Sequence, residues 1–200
     1  MDIELKSINL KFIELFRQTF GFTEEEFALL LSCFTLKTVN KKDYYLRAGE
    51  CCASKAYLNK GCTRNFVVDE QGHERILVFA FEDWWLGDFD SYYSGKPATT
   101  HIQMLEDSEV LVISKESFLK LEGEIPKLKQ WYTHKVLRSA SASMNRIVEM
   151  KTLTAEDRYL NLLEKQPHIF QRIPLQYIAS FLNIEPQSLS RMRSRLTNRH

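Results

Sequence analysis

The C-terminal segment from Ile173 to His200 contains the side chains best suited to chemical recognition. It reads IPLQYIASFL, NIE, PQSLSRMRSRL and TNRH, which predicts two short amphipathic helices joined by a three-residue turn. The second helix has a polar stripe that contains donors and cations and no carboxylate. In the DNA major groove, Arg can bond guanine through two N–H groups, and Gln can bond adenine in the same way. The stripe consists of Gln187, Ser190, Arg191, Ser194 and Arg195.

The turn between these helices has the residue types that a helix-turn-helix requires. Ala179 is a small residue at the place where the helices would cross, and Asn183 tolerates a left-handed backbone. Pro186 suits the first turn of the second helix. The sequence therefore predicts a DNA-binding helix-turn-helix. The alternative is a helical hairpin whose basic face is only solvated.

The charge of the chain is divided between a basic and an acidic part. The net charge of the 200 residues is +1, but residues 127–200 contain 13 Lys+Arg against 5 Asp+Glu. The rest of the chain contains 14 against 21. The basic part includes the predicted DNA-binding helices, as attraction to phosphate requires. A hydrophobic content of 44% supports a folded core and excludes a disordered chain.

The chain has no sequence signal for a membrane or for secretion. No run of about 18 uncharged apolar residues is present, and the N-terminus lacks a basic patch followed by an apolar run. We therefore expect a cytoplasmic protein without membrane contact. The four cysteines form no CxxC pair, so reduced thiols are expected. The adjacent Cys51 and Cys52 could have a redox role, and packing or a loop position is the alternative.

Helices at both ends enclose a β-rich region. Residues 5–20 look helical, and a capping box from Thr23 to Glu26 begins a helix that continues to Phe34. From Leu36 to Ile113, short β-type runs recur about every ten residues with turn signals between them. This spacing is typical of an antiparallel sandwich or barrel. A short helix after Ser114 and a long helix over residues 126–150 follow.

The long helix carries an apolar stripe that is typical of a dimer interface. Its small residues at 139–143 would let a partner helix approach closely. The alternative is that the stripe packs on the chain's own β-domain. We expect a homodimer because a helix-turn-helix reads DNA best as a two-fold pair. The expected interface residues are Leu128, Trp131, Tyr132, Val136, Ala140, Met144 and Ile147.

With these parts in this order, the chain resembles the Crp/Fnr (cyclic AMP receptor protein / fumarate–nitrate regulator) family of bacterial transcription regulators. The local matches are LRAGE at 46–50, the Tyr57…Gly61…Arg64 run, DEQGHERIL at 69–77, LEDSEVLVI at 105–113 and IASFLNIEPQSLSRMRSRL at 178–196. The resemblance implies an α+β fold: an antiparallel double-stranded β-roll of the cyclic-nucleotide-binding jelly-roll type, a long dimerisation helix and a winged-helix-like C-terminal helix-turn-helix. The expected domains are 1–125, 126–150 and 151–200.

The resemblance also implies roles for residues of the second C-terminal helix. Gln187, Ser188 and Arg191 fall on base-reading positions, whereas Pro186 stands where relatives often have Arg, so one base contact should be missing. Three further arginines are expected to contact phosphates. They are Arg193, Arg195 and Arg199. The expected partners are near-palindromic double-stranded DNA, a second copy of the chain and, as a further candidate, RNA polymerase.

The stretch that should hold an effector departs from the family pattern. Cyclic nucleotide sensors of the family hold the phosphate with an Arg and the ribose with a Glu, but residues 84–103 contain no Arg. Asp88 stands near the Glu position, and Lys96 offers only a point charge. We therefore expect no binding of cyclic AMP, and either an unknown small-molecule effector or a filled core. The candidate pocket residues are Trp85, Asp88, Lys96, Thr99 and Thr100.

Other cofactors and catalytic chemistry are not indicated. Only Cys33 precedes position 51, which does not suit an iron–sulfur cluster, and His73 and His101 are haem candidates only because they are present. The five histidines include no HxH or HxxxH pair for a metal, and no P-loop or Ser-His-Asp motif is present. We expect no cofactor, metal or enzyme activity. The sequence thus favours a dimeric DNA-binding transcriptional regulator. The alternative is a ligand-sensing module that regulates a partner protein without binding DNA, for which an exposed apolar ridge would be expected instead of arginines.

Overall fold

Strands occupy the middle of the chain in the computed structural model, which describes residues 7–197, and helices lie on both sides of them. The strands are β1 (Thr35–Val39), β2 (Tyr44–Leu46), β3 (Ser54–Lys60), β4 (Thr63–Val68), β5 (Glu74–Ala80), β6 (Trp85–Leu86), β7 (His101–Met104) and β8 (Ser108–Ser114). The helices are α1 (Leu10–Glu14, extended by a π-helical turn at Leu15–Thr19), α2 (Glu24–Ser32), α3 (Phe89–Ser94), α4 (Lys115–Glu124), α5 (Pro126–Thr152), α6 (Ala155–Lys165), α7 (Ile169–Arg172), α8 (Leu175–Leu182) and α9 (Pro186–Thr197).

The strands form two four-stranded sheets, in the orders β1-β8-β3-β6 and β2-β7-β4-β5. The pairings of β8 with β1 and β3, and of β7 with β2 and β4, are antiparallel. This is the predicted antiparallel β-roll. The short β-type runs in the sequence predicted all of the strands in residues 7–197 except β6. This strand has only two residues and pairs with Ala56 and Tyr57 of β3.

Local signals explain several element boundaries. Thr23 and Glu26 form the predicted capping box of α2, since Thr23 Oγ1 accepts from the Glu26 N–H and the Glu26 carboxylate accepts from the Thr23 N–H. Gly61, between β3 and β4, has a φ of +112°, and a side chain there would collide with Ser108. This turn therefore requires glycine.

The largest core cluster is aromatic and joins the N-terminal helices to the first sheet. Phe12, Phe16 and Trp131 are almost fully buried, and the Phe16 and Trp131 ring centroids lie 4.9 Å apart. Tyr57 of β3 and Phe118 of α4 belong to the same cluster. The first turns of α5 are thus packed into the β-roll core.

The chain divides into two compact units. The first comprises Met1–Val67 and Val78–His134, and the second comprises Val68–Leu77 and Lys135–His200. In the second unit, Ser180 of α8 bonds the 68–77 segment: its Oγ accepts from the Ile76 N–H at 3.1 Å and donates to the Glu74 carbonyl at 3.0 Å. Within residues 7–197, no helix is both long enough and apolar enough to cross a membrane.

Candidate nucleic-acid interface

Helices α8 and α9 and the turn between them form the helix-turn-helix. Asn183 ends α8 with φ 54° and ψ 49°, the left-handed conformation predicted for it. Its N–H bonds the Ala179 and Ser180 carbonyls, and the Ile184 N–H bonds the Ala179 carbonyl at 3.0 Å. These bonds satisfy carbonyls that would otherwise be unpaired at the end of α8, and they fix the direction in which the chain enters α9.

One face of α9 is held in the core of the second unit. Leu189 is fully buried and Met192 is 6% exposed. On α8, Ile178 and Ala179 are fully buried and Leu182 is nearly so. The spacing of these apolar residues on both helices, read from the sequence, therefore corresponds to their burial.

The opposite face of α9 presents the residues expected to read bases. Gln187 and Arg191 are exposed, and Ser188 is half-buried. Arg191 Nη2 lies 3.4 Å from Ser188 Oγ, which is a weak contact. The Arg191 guanidinium is therefore available for an external partner.

The arginines expected to contact phosphates occupy different environments. Arg195 is exposed and lies 3.8 Å from the Glu156 carboxylate of α6, a distance at which a surface ion pair adds little stability. Arg193 is half-buried. Arg199 lies outside the described residues.

Two arginines that the sequence analysis did not single out hold the C-terminal end of α8. Arg146 of α5 donates from Nη2 to the Phe181 carbonyl at 2.6 Å, and Arg158 of α6 donates from Nη2 to the Leu182 carbonyl at 3.0 Å. The Arg146 guanidinium also stacks on the Phe181 ring at 3.5 Å. Cations at a helix C-terminus are favoured by the helix dipole. Helices α5 and α6 thus position the helix-turn-helix directly, and nothing in the sequence spacing indicates these contacts.

The residues expected at the dimer interface fall into two groups. Leu128 and Trp131 are buried in the chain's own core and Tyr132 packs against it, so the first two are not accessible to a partner. Val136 is half-buried, and Ala140 is exposed. Later in the stripe, Met144 is exposed by 60%, Ile147 by 55% and Val148 by 53%. Leu137, which was not among the predicted interface residues, is exposed by 61%.

The candidate effector residues do not form one cluster. Asp88 caps α3, and its carboxylate accepts from the Ser91 N–H at 3.0 Å and from Thr100 Oγ1 at 2.9 Å. Trp85 lies in the aromatic core, with its ring centroid 5.2 Å from that of Trp131. Lys96 and Thr99 are exposed. Among the five candidates, Asp88 and Thr100 are joined by a hydrogen bond, and this bond serves the fold.

The β-roll contains a buried cation that the sequence analysis missed. Lys55 of β3 is 4% exposed, and its Nζ lies 3.4 Å from the Tyr132 ring centroid and 3.7 Å from that of Phe118. Burial lowers the pKa of this ammonium group to about 7. A lysine at the start of the apolar KAYL run is the only sequence signal for this site.

Histidine and cysteine positions in the structure agree with structural roles. His101 stacks on Phe66, and its Nδ1 accepts from the Ala48 N–H at 3.2 Å. The four cysteines all lie within the described residues and form no disulfide bond there, with Cys51 exposed and Cys52 buried. Over the described range, no group of three or more His, Cys, Asp or Glu side chains is arranged to hold a metal ion.

Comparison with known proteins identifies the β-roll and the overall architecture. The cyclic nucleotide-binding domain family matches residues 36–123. The fumarate and nitrate reduction regulatory protein of Vibrio cholerae is 27% identical over 122 residues, which cover 61% of this chain and 48% of that protein. The chain thus spans about half the length of this curated relative.

Solved structures share the fold over nearly the whole chain. The regulator CLP of Xanthomonas campestris has a TM-score of 0.72 at 13% identity, and the match covers 88% of this chain and 92% of that one. A Eubacterium rectale protein assigned to the Crp/Fnr transcriptional regulators has a TM-score of 0.70 at 14% identity, and the match covers 92% and 87%. At such low identity these two matches establish the shared fold. The sequence matches show that the chain is similar to the cyclic nucleotide-binding domain and to a fumarate and nitrate reduction regulatory protein, in agreement with the resemblance to Crp/Fnr regulators.

Proposed function

We propose that this chain is a DNA-binding transcriptional regulator that acts as a homodimer in the cytoplasm. The observation that carries the proposal is the orientation of α9: its apolar side is buried in the second unit, while Gln187 and Arg191 are exposed on the other side. An exposed guanidinium and carboxamide one helical turn apart suit the edges of bases in a major groove. The arginine-rich surface of α9 favours DNA over a protein partner.

Affinity and sequence preference would come from different residues of α9. Gln187, Ser188 and Arg191 would contact base edges. Arg193 and Arg195 would contact phosphates and orient the helix on the duplex, and Arg199 is proposed for the same role from its sequence position. The ion pair between Arg195 and Glu156 is long and exposed, so a phosphate can replace the carboxylate at little cost.

Dimerisation would use the exposed part of the α5 stripe, namely Leu137, Ala140, Met144, Ile147 and Val148. Leu137, Met144, Ile147 and Val148 are large apolar side chains that are more than half exposed along one helix face, and a second copy that covers them would stabilise them. Two-fold pairing would place the two copies of α9 in successive major grooves, about 34 Å apart. In functional terms, residues 1–125 would be the sensor, 126–150 the dimerisation helix and 151–200 the DNA reader.

The β-roll is proposed to act without cyclic AMP. The Asp88 carboxylate already bonds Ser91 and Thr100, and the exposed Lys96 is the basic side chain of the 84–103 stretch. A cyclic phosphate bound there would lack the bidentate Arg contact that compensates its burial. An effector of another kind would have to use different groups. No enzymatic activity is proposed for the chain.

The proposal is tested by selecting binding sites from a random-sequence DNA pool at two salt concentrations, with and without cyclic AMP. We expect enrichment of a near-palindromic site, weaker binding at the higher salt concentration and no effect of cyclic AMP. Lys41→Gln, which removes an exposed charge from the β-roll, is the control and should select the same site. A pool with no enriched site, or affinity that does not respond to salt, would overturn the DNA-binding function.

A further inference from the structure

A cavity of about 300 Å³ lies within the second unit, among α5, α6 and α8. Its lining includes three cations, Arg146, Arg158 and Lys165, and the side-chain amides of Asn145, Asn161 and Gln166. The volume is at the lower end of the range for small-molecule sites. This cavity plays no part in the contacts with DNA proposed above.

The cavity has an excess of positive charge. Among the described residues that line it, Glu149 is the only carboxylate, and it pairs with Lys165 at 2.8 Å. The two arginines therefore have no carboxylate of their own. Burial lowers the pKa of Arg146 to about 10, and the nearby Arg158 lowers it further while Glu149 raises it. A bound anion would relieve this unfavourable arrangement of charges.

Hydrogen-bonding capacity also remains at the cavity. Arg158 donates from Nη1 to the Leu153 carbonyl and from Nη2 to the Leu182 carbonyl, and each of these two nitrogens has a second N–H. Arg146 donates from Nη2 to the Phe181 carbonyl, and a guanidinium group has five N–H donors. Because these bonds fix both side chains, their remaining donors would not need to be reorganised for a ligand.

The cavity and the proposed dimer interface are on opposite faces of α5. At 100° per residue, Ala142 and Glu149 of the lining lie roughly opposite the stripe that contains Met144 and Ile147. A ligand in the cavity would therefore not compete with a second copy of the chain. The apolar part of the lining, which includes Met150 and Leu162, leaves room for a small organic group.

We propose that this cavity binds a small anion through a phosphate group, held by Arg146, Arg158 and Lys165. Planar guanidinium groups match the oxygens of phosphate, and the amides supply further donors. The anion would connect α5, α6 and α8 through one set of charge-assisted bonds. The phosphate could be free inorganic phosphate or part of a small phosphate ester.

The test is a titration of the full chain, without DNA, with inorganic phosphate and separately with glycerol phosphate, followed by the backbone amide signals in NMR at constant ionic strength. Glycerol and acetate serve as controls for the organic part and for a monoanion. Signals of Asn145, Asn161 and Gln166 should shift with saturation for both phosphate probes. Tighter binding of the ester would assign the organic part to the apolar lining, and equal affinity would assign the site to free phosphate.

Matched variants locate the binding. Lys165→Gln removes one cation and leaves Glu149 unpaired, so phosphate affinity should fall by about tenfold or more, since a hydrogen bond to a charged group contributes about that much. Lys165→Arg keeps the charge and should bind like the parent. Lys41→Gln makes the same charge change on the β-roll and should have no effect. Lys165 is 62% exposed, so its replacement should not impair folding.

Three results would overturn the proposal. The first is a set of shifts confined to the amides of α9, where Arg191 and Arg195 could attract phosphate on their own. The second is equal phosphate affinity of Lys165→Gln and the parent. The third is the absence of saturable shifts with either probe. Because DNA is not part of this titration, a chain that fails to bind DNA can still bind phosphate here. The two proposals therefore fail independently.

Discussion

Replacing Lys55 by Met should make the protein more stable at neutral and acidic pH. The Lys55 Nζ is surrounded by the rings of Tyr92, Tyr93, Phe118 and Tyr132. Its only hydrogen bond to a described residue is to the Tyr93 hydroxyl at 3.4 Å. Met has a similar length and no charge to desolvate. The substitution therefore removes the cost of burying an ammonium group while it keeps the packing.

The magnitude follows from the depressed pKa of Lys55. Burial lowers it from 10.5 to about 7, and among the charged neighbours Glu122 raises it and Lys115 lowers it. At 1.36 kcal/mol for each pH unit, protonated Lys55 costs the folded state about 3 to 5 kcal/mol, where the lower figure allows for attraction between the cation and the rings.

The sign of the pH dependence is determined by which state binds the proton. Between about pH 7 and pH 10 the unfolded chain holds a proton on Lys55 that the folded chain has released, so the free energy of unfolding rises with pH in this window. Below about pH 7 both states are protonated, and the full cost is present. The stabilising effect of Lys55→Met should therefore be largest near pH 6 and should shrink by about 2 to 3 kcal/mol by pH 9.

The assay is urea unfolding followed by tryptophan fluorescence at several pH values between 6 and 9. Lys60→Met, at an exposed position on the same strand, is the control and should change the free energy of unfolding little at any pH. The comparison between variant and parent cancels the titration of all other groups. A stabilisation of the same size at both ends of the pH range would refute the reasoning, as would destabilisation by Lys55→Met at acidic pH.

Two further substitutions test the dimer interface and the α3 cap. Ile147→Glu places a carboxylate in the exposed α5 stripe and should convert the proposed dimer to a monomer in analytical ultracentrifugation. Arg138→Glu, on the opposite face of the helix, should not have this effect. A dimeric Ile147→Glu protein would exclude this interface. Asp88→Ala should lower the free energy of unfolding by about 1 to 2 kcal/mol because α3 loses its N-cap and Thr100 loses its acceptor. Asp88→Asn, the control, should retain most of the stability. If both variants lose the same free energy of unfolding in denaturant, the capping role is contradicted.

Short-range patterns in the sequence predicted much of the fold. The alternation of apolar residues and the turn signals located seven of the eight strands found between residues 7 and 197. The Thr23 capping box and the left-handed Asn183 were both confirmed. These features depend on a few neighbouring residues, so they can be read without knowledge of distant contacts. In contrast, the predicted helix over residues 5–20 is a short α-helix at Leu10–Glu14 followed by a π-helical turn in the described part of that range.

Features that depend on long-range packing were not predictable from spacing. Leu128 and Trp131 belong to the same apolar stripe as Met144, yet only the first two enter the core, because the N-terminal helices cover the first turns of α5. Lys55 of β3 is buried because aromatic residues from three helices, α3, α4 and α5, meet around its side chain. Arg146 looked like an ordinary surface residue of a long helix. Its contact with the Phe181 carbonyl depends on the packing of α5 against α8.

The proposed role of α9 is tested most directly by the affinity of Arg191→Ala and Arg195→Ala for two DNA duplexes, the selected site and a scrambled sequence, measured by fluorescence anisotropy over a range of salt concentrations. Arg191→Ala should weaken binding to the selected site by about 5- to 150-fold and leave the scrambled duplex nearly unaffected. Arg195→Ala should weaken both equally and reduce the slope of log affinity against log salt by about one. Equal losses on both duplexes for Arg191→Ala would contradict the base-reading role of this helix.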